Sequence, residues 1–312
     1  MLASIPSPGS NAIDIGPLTF RAYGLMIALG VIAAVWLAGK RLAERGYPPE
    51  LAGSLAMVGV PAGLVGARVH HVITDWRSFQ GNWGDAIKIW EGGLGIAGAV
   101  LAGAAAVLWY SRRNRLPIGV VLDATAPAIP LAQAIGRLGN WFNQELFGRP
   151  TDLPWGLEID LDHRPVQYLD RETFHPTFLY ESLWNVGVVL VLLWLSRRRV
   201  LRTGRLFAVY AGLYAIGRLW VESMRIDPSS EIAGVRVNIW IYSIVLAISV
   251  AVVLTGRRPV DEWGEPYDEV LTDGPEPADE DEDVDEELES DESIDDGVSI
   301  GMEREAVDEG DG

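Results

Sequence analysis

A dense group of polar residues interrupts an otherwise apolar part of the chain, the segment 136–149, which reads GRLGNWFNQELFGR. Arg137 and Asn140 are three positions apart and share one side of a helix, and Glu145 follows where the apolar stretch ends. An arginine guanidinium forms paired hydrogen bonds with phosphate, and a carboxylate can accept a proton. The segment therefore predicts a site that binds an anionic phosphate group beside a proton acceptor.

A second polar row lies in a later apolar stretch, where Tyr214, Arg218 and Glu222 follow one another at intervals of four residues. This spacing places a phenol, a guanidinium and a carboxylate on one face of a helix. A charge inside a membrane costs roughly 2.5 to 3.5 kcal/mol on insertion scales, so such residues usually face a protein interior or a water-filled cavity. The row takes part in chemistry or forms a structural ion pair, and its spacing leaves both interpretations open.

The composition excludes several kinds of site. The sequence contains no Cys and only four His, so disulfides, thiolate metal sites and a catalytic thiol are excluded. Three of the His show no spacing to a second set of ligands, and we expect no metal and no other cofactor. The fourth, His175, joins Glu145 and Glu222 as a candidate for proton transfer.

Seven apolar stretches of membrane-spanning length position these residues, because a spanning helix needs about 20 mainly apolar residues. Their approximate bounds are 19–38, 51–74, 92–110, 117–142, 176–196, 206–224 and 237–256. Pro127 and Pro130 lie in the fourth stretch and should kink or open it, since proline lacks an amide donor. We predict an all-α, multi-pass membrane protein with seven transmembrane helices.

The distribution of charge predicts the orientation of these helices. If the N-terminus is external, 13 Lys and Arg fall in inner loops and 7 in outer segments, as expected when basic residues are enriched on the cytoplasmic side. The stretch 261–312 holds 25 acidic residues and one base, a composition typical of disordered segments. The predicted organisation is an external segment 1–18, a membrane domain 19–258 with an external loop 144–175, and a disordered cytoplasmic tail 259–312.

The rise per helical residue gives approximate depths for the candidate residues, all in the outer half of the predicted spans. At about 1.5 Å per helical residue, Arg68 and Arg137 lie roughly 25 to 30 Å from the inner ends of their helices, and Arg218 roughly 18 Å. Three more candidates lie near outer helix ends: Tyr23, Glu145 and His175. We expect one site in the outer leaflet, with an anionic phospholipid headgroup as its ligand and no nucleic acid as a partner.

The segment 136–149 resembles the signature of bacterial prolipoprotein diacylglyceryl transferases, in which Gly-Arg-x-Gly-Asn-x-x-Asn-x-Glu precedes a Gly. Other motifs similar to those of this family occur in the same order along the chain, namely Tyr23-Gly24-Leu25, Gly66-Ala67-Arg68, Trp90-Glu91-Gly92-Gly93-Leu94, His175-Pro176-Thr177, Leu179-Tyr180-Glu181 and the row from Tyr214 to Glu222. The resemblance covers about residues 18–258 and excludes the acidic tail.

The resemblance implies both a reaction and a set of site residues. Enzymes of this family move the diacylglyceryl group of phosphatidylglycerol to the lipobox cysteine thiol of a secreted precursor, and release glycerol phosphate. The partners implied are phosphatidylglycerol, prolipoprotein signal peptides and membrane lipids, at the plasma membrane of a bacterium. The predicted lipid-binding residues are Arg137, Asn140, Gly148 and Arg68. The predicted catalytic residues are Arg218, Glu145, Glu222, Tyr214, His175 and Tyr23.

This chemistry needs both positive charge and a base. A thiol with a pKa of about 8.5 must lose its proton before it attacks, and the departing phosphate is stabilised by fixed positive charge. Arg137 and Arg218 can supply that charge but cannot accept a proton. The proton acceptor is therefore Glu145, Glu222 or His175, and the sequence leaves the choice among them open.

The chain departs from the family pattern in two places. Many family members have a His in the glycine-rich stretch that begins the third helix, where this chain has Ala97. Either His175 or a carboxylate replaces that His, or it is dispensable here. The segment around Asn238 and Trp240 is also unusual, and we predict no site residue from it. The alternative function is a non-enzymatic channel, transporter or scaffold that binds anionic lipid.

Overall fold

The computed structural model describes residues 4–15, 18–89, 92–227 and 229–255, and these residues are mainly helical. The helices are α1 (Ala22–Ala43), α2 (Leu51–Thr74), α3 (Ile96–Arg113), α4 (Ile118–Thr125), α5 (Ala128–Asn143), α6 (Thr177–Arg198), α7 (Arg205–Glu222) and α8 (Val237–Leu254). The predicted tail 259–312 and the motif residues Trp90 and Glu91 lie outside the described part of the chain.

In the ranges that the structure describes, three short antiparallel pairs of strands flank or connect the helices. β1 (Ala12–Ile15) pairs with β2 (Leu18–Arg21) immediately before α1. β3 (Leu157–Glu158) pairs with β4 (Thr173–Phe174) in the connection between α5 and α6. β5 (Glu231–Ile232) pairs with β6 (Val235–Arg236) in the connection between α7 and α8. Each pair therefore orders the chain beside the end of a long helix.

Each of the seven predicted apolar stretches contains a helix, and the fourth contains two. The break falls at Ala126 and Pro127, between α4 and α5, which confirms the predicted interruption by proline. Two predicted helix starts are wrong by several residues. Strand β2 occupies the chain before α1, and α3 starts only after Gly92 and Gly93, whose φ angles are 93° and 70°.

Within the described residues, five segments are long and apolar enough to cross a membrane, namely Ala22–Ala43, Leu51–Thr74, Ile118–Asn143, Thr177–Arg198 and Val237–Leu254. The remaining two predicted spans correspond to α3 and α7. Helix α3 ends in two arginines, and α7 carries Arg218 and Glu222, so their average hydropathy is lower. The described residues thus form a mainly helical protein with several apolar, membrane-length segments.

Helices α2 and α3 approach each other closely because glycines line their contact. A Cβ atom added at Gly66 would lie 2.3 Å from the Cβ of Ala102 and 2.4 Å from the carbonyl oxygen of Gly98. Such small residues let backbones pack together in a membrane, where burial of apolar surface against lipid provides little drive for association. The Gly66-Ala67-Arg68 motif therefore supplies a packing surface as well as an arginine.

The helices that carry the polar rows lie among the other helices. Helix α5 packs between α1 and α6, and α7 packs against α6 and α8. At the start of α7, the Oδ1 atom of Asp123 accepts a hydrogen bond of 3.1 Å from the backbone N–H of Leu206. The other carboxylate oxygen of Asp123 lies 3.5 Å from Arg45 at the end of α1. Asp123 thus caps α7 and fixes its position relative to α1 and α4.

The predicted external loop 144–175 is folded around its own apolar cluster. Gln144 ends α5 with a φ of 51°, and its amide exchanges hydrogen bonds with Asp160 at 2.6 and 2.8 Å. Phe147 and Phe174 pack with ring centroids 4.8 Å apart, beside the buried Leu157. The loop is therefore a small cap attached to the ends of α5 and α6.

Substitution of Gly66 by Ala tests the contact between α2 and α3. The added methyl group has no space, and we expect Gly66→Ala to lower the free energy of unfolding by about 1 to 3 kcal/mol. The measurement is the thermal midpoint of the purified protein in detergent. Gly53→Ala in the same helix is the matched control, because no atom lies within 4 Å of its added Cβ. Equal midpoints for the two variants would contradict the close contact.

Candidate functional site

Glu181 in α6 is the carboxylate on which arginines from two other helices converge. Its Oε2 atom lies 2.7 Å from Nη2 of Arg137 in α5, and its Oε1 atom lies 2.8 Å from Nη1 of Arg218 in α7. The Glu181 side chain is only 5% exposed. The sequence singled out Glu181 as part of a motif but not as a site residue. The sequence feature that could have identified Glu181 is a lone carboxylate inside an apolar helix. In the structure, that carboxylate joins α5, α6 and α7.

Arg218 is held by two carboxylates and an aromatic ring. Besides Glu181, its guanidinium reaches Oε2 of Glu222 at 3.1 Å, one helical turn further along α7. The guanidinium carbon also lies 5.4 Å from the centre of the Tyr242 ring in α8, within the range of a cation–π interaction. Tyr214 contacts the same ring edge-on, with centroids 6.0 Å apart. The structure therefore brings the predicted row of α7 together, with Tyr242 as a member that spacing did not reveal.

Glu222 has both carboxylate oxygens occupied by cationic or amide donors. Its side chain is fully buried. Oε2 faces Arg218, with Arg225 at 3.8 Å. Oε1 lies 3.0 Å from Nε of Arg236 and 3.0 Å from Nδ2 of Asn238. The end of α7 is thus tied to the start of α8, the segment from which the sequence predicted no site residue.

Asp227 extends the charged cluster into the connection after α7. It accepts hydrogen bonds of 2.6 and 2.8 Å from Arg225, and lies 3.3 Å from Nη2 of Arg236. Burial raises the pKa of the Asp227 carboxyl, but the hydrogen bonds and charges of the two arginines outweigh burial and hold that pKa below its ordinary value. Asp227 is therefore ionised at neutral pH and balances part of the arginine charge.

Arg137 is the more accessible of the two arginines that share Glu181. Its side chain is 20% exposed, against 6% for Arg218. Nη1 of Arg137 lies 3.4 Å from the amide oxygen of Asn140, and the amide nitrogen of Asn140 donates to Oε1 of Glu145 at 2.8 Å. Asn143 donates to the same oxygen at 3.2 Å. The predicted residues Arg137, Asn140 and Glu145 therefore form one connected polar surface.

Tyr23 packs on this surface from α1. A Cβ atom added at Gly139 would lie 2.6 Å from Cδ2 of the Tyr23 ring, so the absence of a side chain at Gly139 makes room for the ring. The Tyr23 phenol is close enough to Glu145 and Arg137 to interact electrostatically with both. The ring is 38% exposed. The structure thus places Tyr23 beside the predicted lipid-binding segment.

Gly148 and His175 lie next to each other where the cap meets α6 and α7. The N–H of Gly148 donates to the carbonyl oxygen of His175 at 2.9 Å, and Gly148 also forms an isolated antiparallel bridge with Arg225. A Cβ at Gly148 would lie 2.8 Å from the Cβ of His175. These contacts give Gly148 a packing role between three segments of the chain.

The imidazole of His175 is part of an aromatic group rather than of the arginine cluster. Its Nδ1 atom lies 3.2 Å from the hydroxyl of Tyr180, which also accepts a hydrogen bond of 3.0 Å from the Trp155 indole. Burial, together with the positive charge of Arg149, lowers the pKa of His175 below its ordinary value. His175 is therefore neutral at pH 7.

The contacts of Arg68 separate it from the other predicted lipid-binding residues. Its guanidinium donates to the carbonyl oxygens of Ala86 and Asp85 at 2.8 and 2.5 Å. It also donates to those of Gly92 and Gly93 at 2.5 and 3.1 Å. Four of the five N–H donors of an arginine are thus engaged by the connection between α2 and α3. These contacts indicate a structural role for Arg68.

The glycine-rich start of α3 contacts a histidine of α2. Ala97 is exposed. A Cβ atom added at the nearby Gly95 would lie 2.1 Å from Nδ1 of His70, so the glycine leaves room for this imidazole. In the part of the chain that the structure describes, no three His, Asp or Glu side chains are grouped as metal ligands.

Fold and site together define a class of protein: a helical membrane protein whose central helices share a buried network of arginines and carboxylates. Comparison with known sequences identifies the family. The sequence model of the prolipoprotein diacylglyceryl transferases matches residues 10–255. The chain belongs to the prolipoprotein diacylglyceryl transferase family. This match ends before the predicted acidic tail.

Curated relatives support this assignment. The phosphatidylglycerol--prolipoprotein diacylglyceryl transferase of Frankia alni is 50% identical over 264 residues, which are 84% of this chain and 70% of that protein. A Streptomyces coelicolor protein of the same name, numbered 2, is 48% identical over 83% of each chain. The protein of that name from Cutibacterium acnes is 47% identical, covering 82% of this chain and 87% of its own.

Replacement of Glu181 by Gln tests the central ion pairs. The substitution leaves Arg137 and Arg218 without their shared charge, and breaking a buried pair costs about 3 to 5 kcal/mol. We therefore expect a large decrease in the thermal midpoint of the purified protein. Glu172→Gln, at an exposed position in the cap, is the matched control and should leave the midpoint unchanged. The proposed central role is wrong if Glu181→Gln unfolds at the same temperature as this control.

Proposed function

We propose that the protein transfers the diacylglyceryl group of phosphatidylglycerol to the lipobox cysteine of prolipoproteins, and releases glycerol phosphate. The names of the three relatives include phosphatidylglycerol, prolipoprotein and the diacylglyceryl group. The observation that carries the proposal is the pairing of Arg137 and Arg218 on the single carboxylate of Glu181. Two guanidinium groups are thereby held side by side, as binding and cleavage of a phosphate ester require.

The balance of charge in this cluster favours an anionic ligand. Its directly paired residues are four arginines and three carboxylates: Arg137, Arg218, Arg225, Arg236, Glu181, Glu222 and Asp227. One positive charge therefore remains unmatched among these pairs, and the neighbouring Glu145 contacts the amides of Asn140 and Asn143. An unmatched charge that is largely shielded from water is costly unless an anion binds, and the phosphate of phosphatidylglycerol supplies one.

Arg137 is the group that we expect to contact this phosphate first. It is the more exposed of the two central arginines, and its terminal nitrogens contact Asn140 and Glu181. Each terminal nitrogen of a guanidinium carries two N–H groups. The phosphate can therefore bind to the second pair of donors while the ion pair with Glu181 stays intact, and that ion pair fixes the direction of the guanidinium.

The proposed transfer is a displacement at carbon. The thiolate of the lipobox cysteine attacks the glyceryl carbon that bears the phosphate, so that a carbon–sulfur bond forms and the carbon–oxygen bond breaks. The electron pair of that bond leaves on the phosphate oxygen, beside Arg137 and Arg218. Positive charge fixed before the reaction stabilises this developing negative charge without reorganisation. The proton of the thiol must go to a separate base.

We assign the role of base to Glu145. Glu222 is unsuited to it, because both of its oxygens already face cations or an amide inside the protein. Glu145 is exposed, and two asparagine amides orient it through one oxygen beside Arg137. A general base must first lie within hydrogen-bonding reach of the proton that it accepts, and only then does its pKa matter. His175 is neutral at pH 7, but its imidazole lies in the aromatic group described above.

We further propose that the site faces the outer leaflet of a bacterial plasma membrane. If α4 and α5 form one span, the protein has seven transmembrane helices, with the N-terminus outside and the tail 259–312 in the cytoplasm. The last turns of the first, third and fifth spans are basic, with Lys40 and Arg41, Arg112 and Arg113, and Arg197 and Arg198. This pattern is expected for helix ends on the cytoplasmic side.

Such a placement suits the acceptor substrate. The lipobox cysteine of a signal peptide lies at the outer end of its apolar segment, at the depth proposed for Arg137. The membrane domain 19–258 then contains the whole proposed site. The segment 1–18 and the cap 144–175 lie on the external side in this arrangement.

Replacement of Arg137 tests the phosphate site. In vesicles with labelled phosphatidylglycerol and a lipobox peptide, we expect Arg137→Ala to reduce transfer by at least about 100-fold, as when one donor of an oxyanion site is removed. Arg137→Lys should restore only part of the activity, because lysine lacks the planar fork of donors. Arg171→Ala, at a 54% exposed position in the cap, is the control.

Two outcomes of this assay would reject the proposal. Full activity of Arg137→Ala would show that the reaction does not need the proposed contact between Arg137 and the phosphate. Absence of transfer and of glycerol phosphate release by the wild-type protein, alongside an active relative, would favour a non-enzymatic lipid-binding channel, transporter or scaffold.

Paired substitutions of Glu145 and His175 test the assignment of the base. Loss of a general base reduces the rate by roughly 10² to 10⁴, so we expect Glu145→Gln to lose at least about 100-fold in kcat. His175→Gln should retain most of the activity. The same vesicle assay, at saturating phosphatidylglycerol and peptide, measures both variants. The reverse result would transfer the role to His175, and activity would then fall as the pH decreases through its lowered pKa.

A further inference from the structure

The start of α8 contacts the end of α7 through the side chains of Arg236 and Asn238. Nδ2 of Asn238 donates to Oε1 of Glu222 at 3.0 Å, and Nε of Arg236 lies 3.0 Å from the same oxygen. The other oxygen of Glu222 lies 3.1 Å from Nη2 of Arg218. Glu222 is therefore held from α8 through one oxygen while it presents the other to the arginine of α7.

Arg236 is itself fixed by the chain between α7 and α8. Its Nη1 atom donates to the carbonyl oxygen of Arg225, and its Nη2 atom donates to that of Asp227, both at 2.9 Å. The β5–β6 pair ends at Arg236 and joins it to Glu231. The guanidinium is thus anchored to the backbone at two points, and its position does not depend on Glu222 alone.

These contacts affect both the position and the charge of Arg218. The side chain of Glu222 has three rotatable bonds, and it contacts both Arg218 of α7 and the residues at the start of α8. Without the α8 donors, Glu222 could turn its full charge toward Arg218 and neutralise it. With them, part of that charge is matched by Arg236, and the guanidinium of Arg218 keeps both its direction and its capacity to stabilise an anion.

We propose that Arg236 and Asn238 are positioning residues for the transfer reaction, which act on Arg218 through Glu222. The inference rests on the transferase activity proposed above. It adds two residues from a segment whose sequence gave no indication of a role. They touch neither the lipid nor the thiol in this mechanism, and their effect on Arg218 passes through the carboxylate of Glu222.

A double-mutant cycle between Asn238 and Glu222 tests this inference. We expect Asn238→Ala to lower kcat by about tenfold, the usual scale for loss of a hydrogen bond to a charged group. Glu222→Gln should lower it further. Because Asn238 acts only through Glu222, the double variant should be no less active than Glu222→Gln alone. Arg236→Gln should show the same dependence on Glu222.

The isosteric variant Asn238→Asp separates positioning from packing. It keeps the size of the side chain but removes the N–H donors, so its activity should fall at least as far as that of Asn238→Ala. The matched control is Asn114→Ala, which removes an amide that donates to the backbone carbonyl oxygen of Tyr110 near the end of α3 and should leave transfer unchanged. The thermal midpoint in detergent shows which variants are folded.

The possible results are distinguishable. A wild-type protein that does not transfer overturns the proposed function, and this inference with it. With an active wild type, the positioning role alone is overturned if Asn238→Asp is fully active. It is also overturned if the losses from Asn238→Ala and Glu222→Gln multiply in the double variant.

Discussion

The site depends on one buried carboxylate shared by two arginines. Glu181 lies between Arg137 and Arg218 and gives one oxygen to each. Two guanidinium groups in a low-dielectric environment repel each other, and each is costly to bury alone. Their common counter-ion holds them together while leaving the cluster short of full neutralisation. The same three side chains join three helices and form the proposed anion site.

The other elements support this arrangement from two sides. Asn140 and Asn143 orient Glu145 next to the more exposed arginine. The α7–α8 connection surrounds Glu222 with donors and leaves one oxygen to the buried Arg218. The exposed end of the cluster thus offers an arginine and a carboxylate for chemistry. The buried end is held by several ion pairs, as charges removed from water must be.

Much of this arrangement could be predicted from the sequence, and the limits of that prediction have physical causes. The apolar stretches located the long helices of the described residues, and the four-residue spacing of Tyr214, Arg218 and Glu222 located one polar face, because both patterns are local. Spacing could not show which side chains from different helices meet, so the role of Glu181 was missed. The backbone carbonyls that accept hydrogen bonds from Arg68 were also missed, because such contacts leave no trace in side-chain patterns. Its predicted part in lipid binding stays a prediction. The tail 259–312 lies outside the described residues, so its predicted disorder stays a prediction.

The order of the charged residues along the chain has a consequence for biogenesis. Arg137, Glu181 and Arg218 belong to α5, α6 and α7 in succession and alternate in sign. As the helices enter the bilayer from the N-terminus onward, each brings the counter-charge for the helix before it. The unpaired state of Arg137 ends with the arrival of α6, and the second oxygen of Glu181 then pairs with Arg218 when α7 arrives. The ion pairs that form the site therefore also supply a stepwise attraction that helps successive, only moderately apolar helices to assemble.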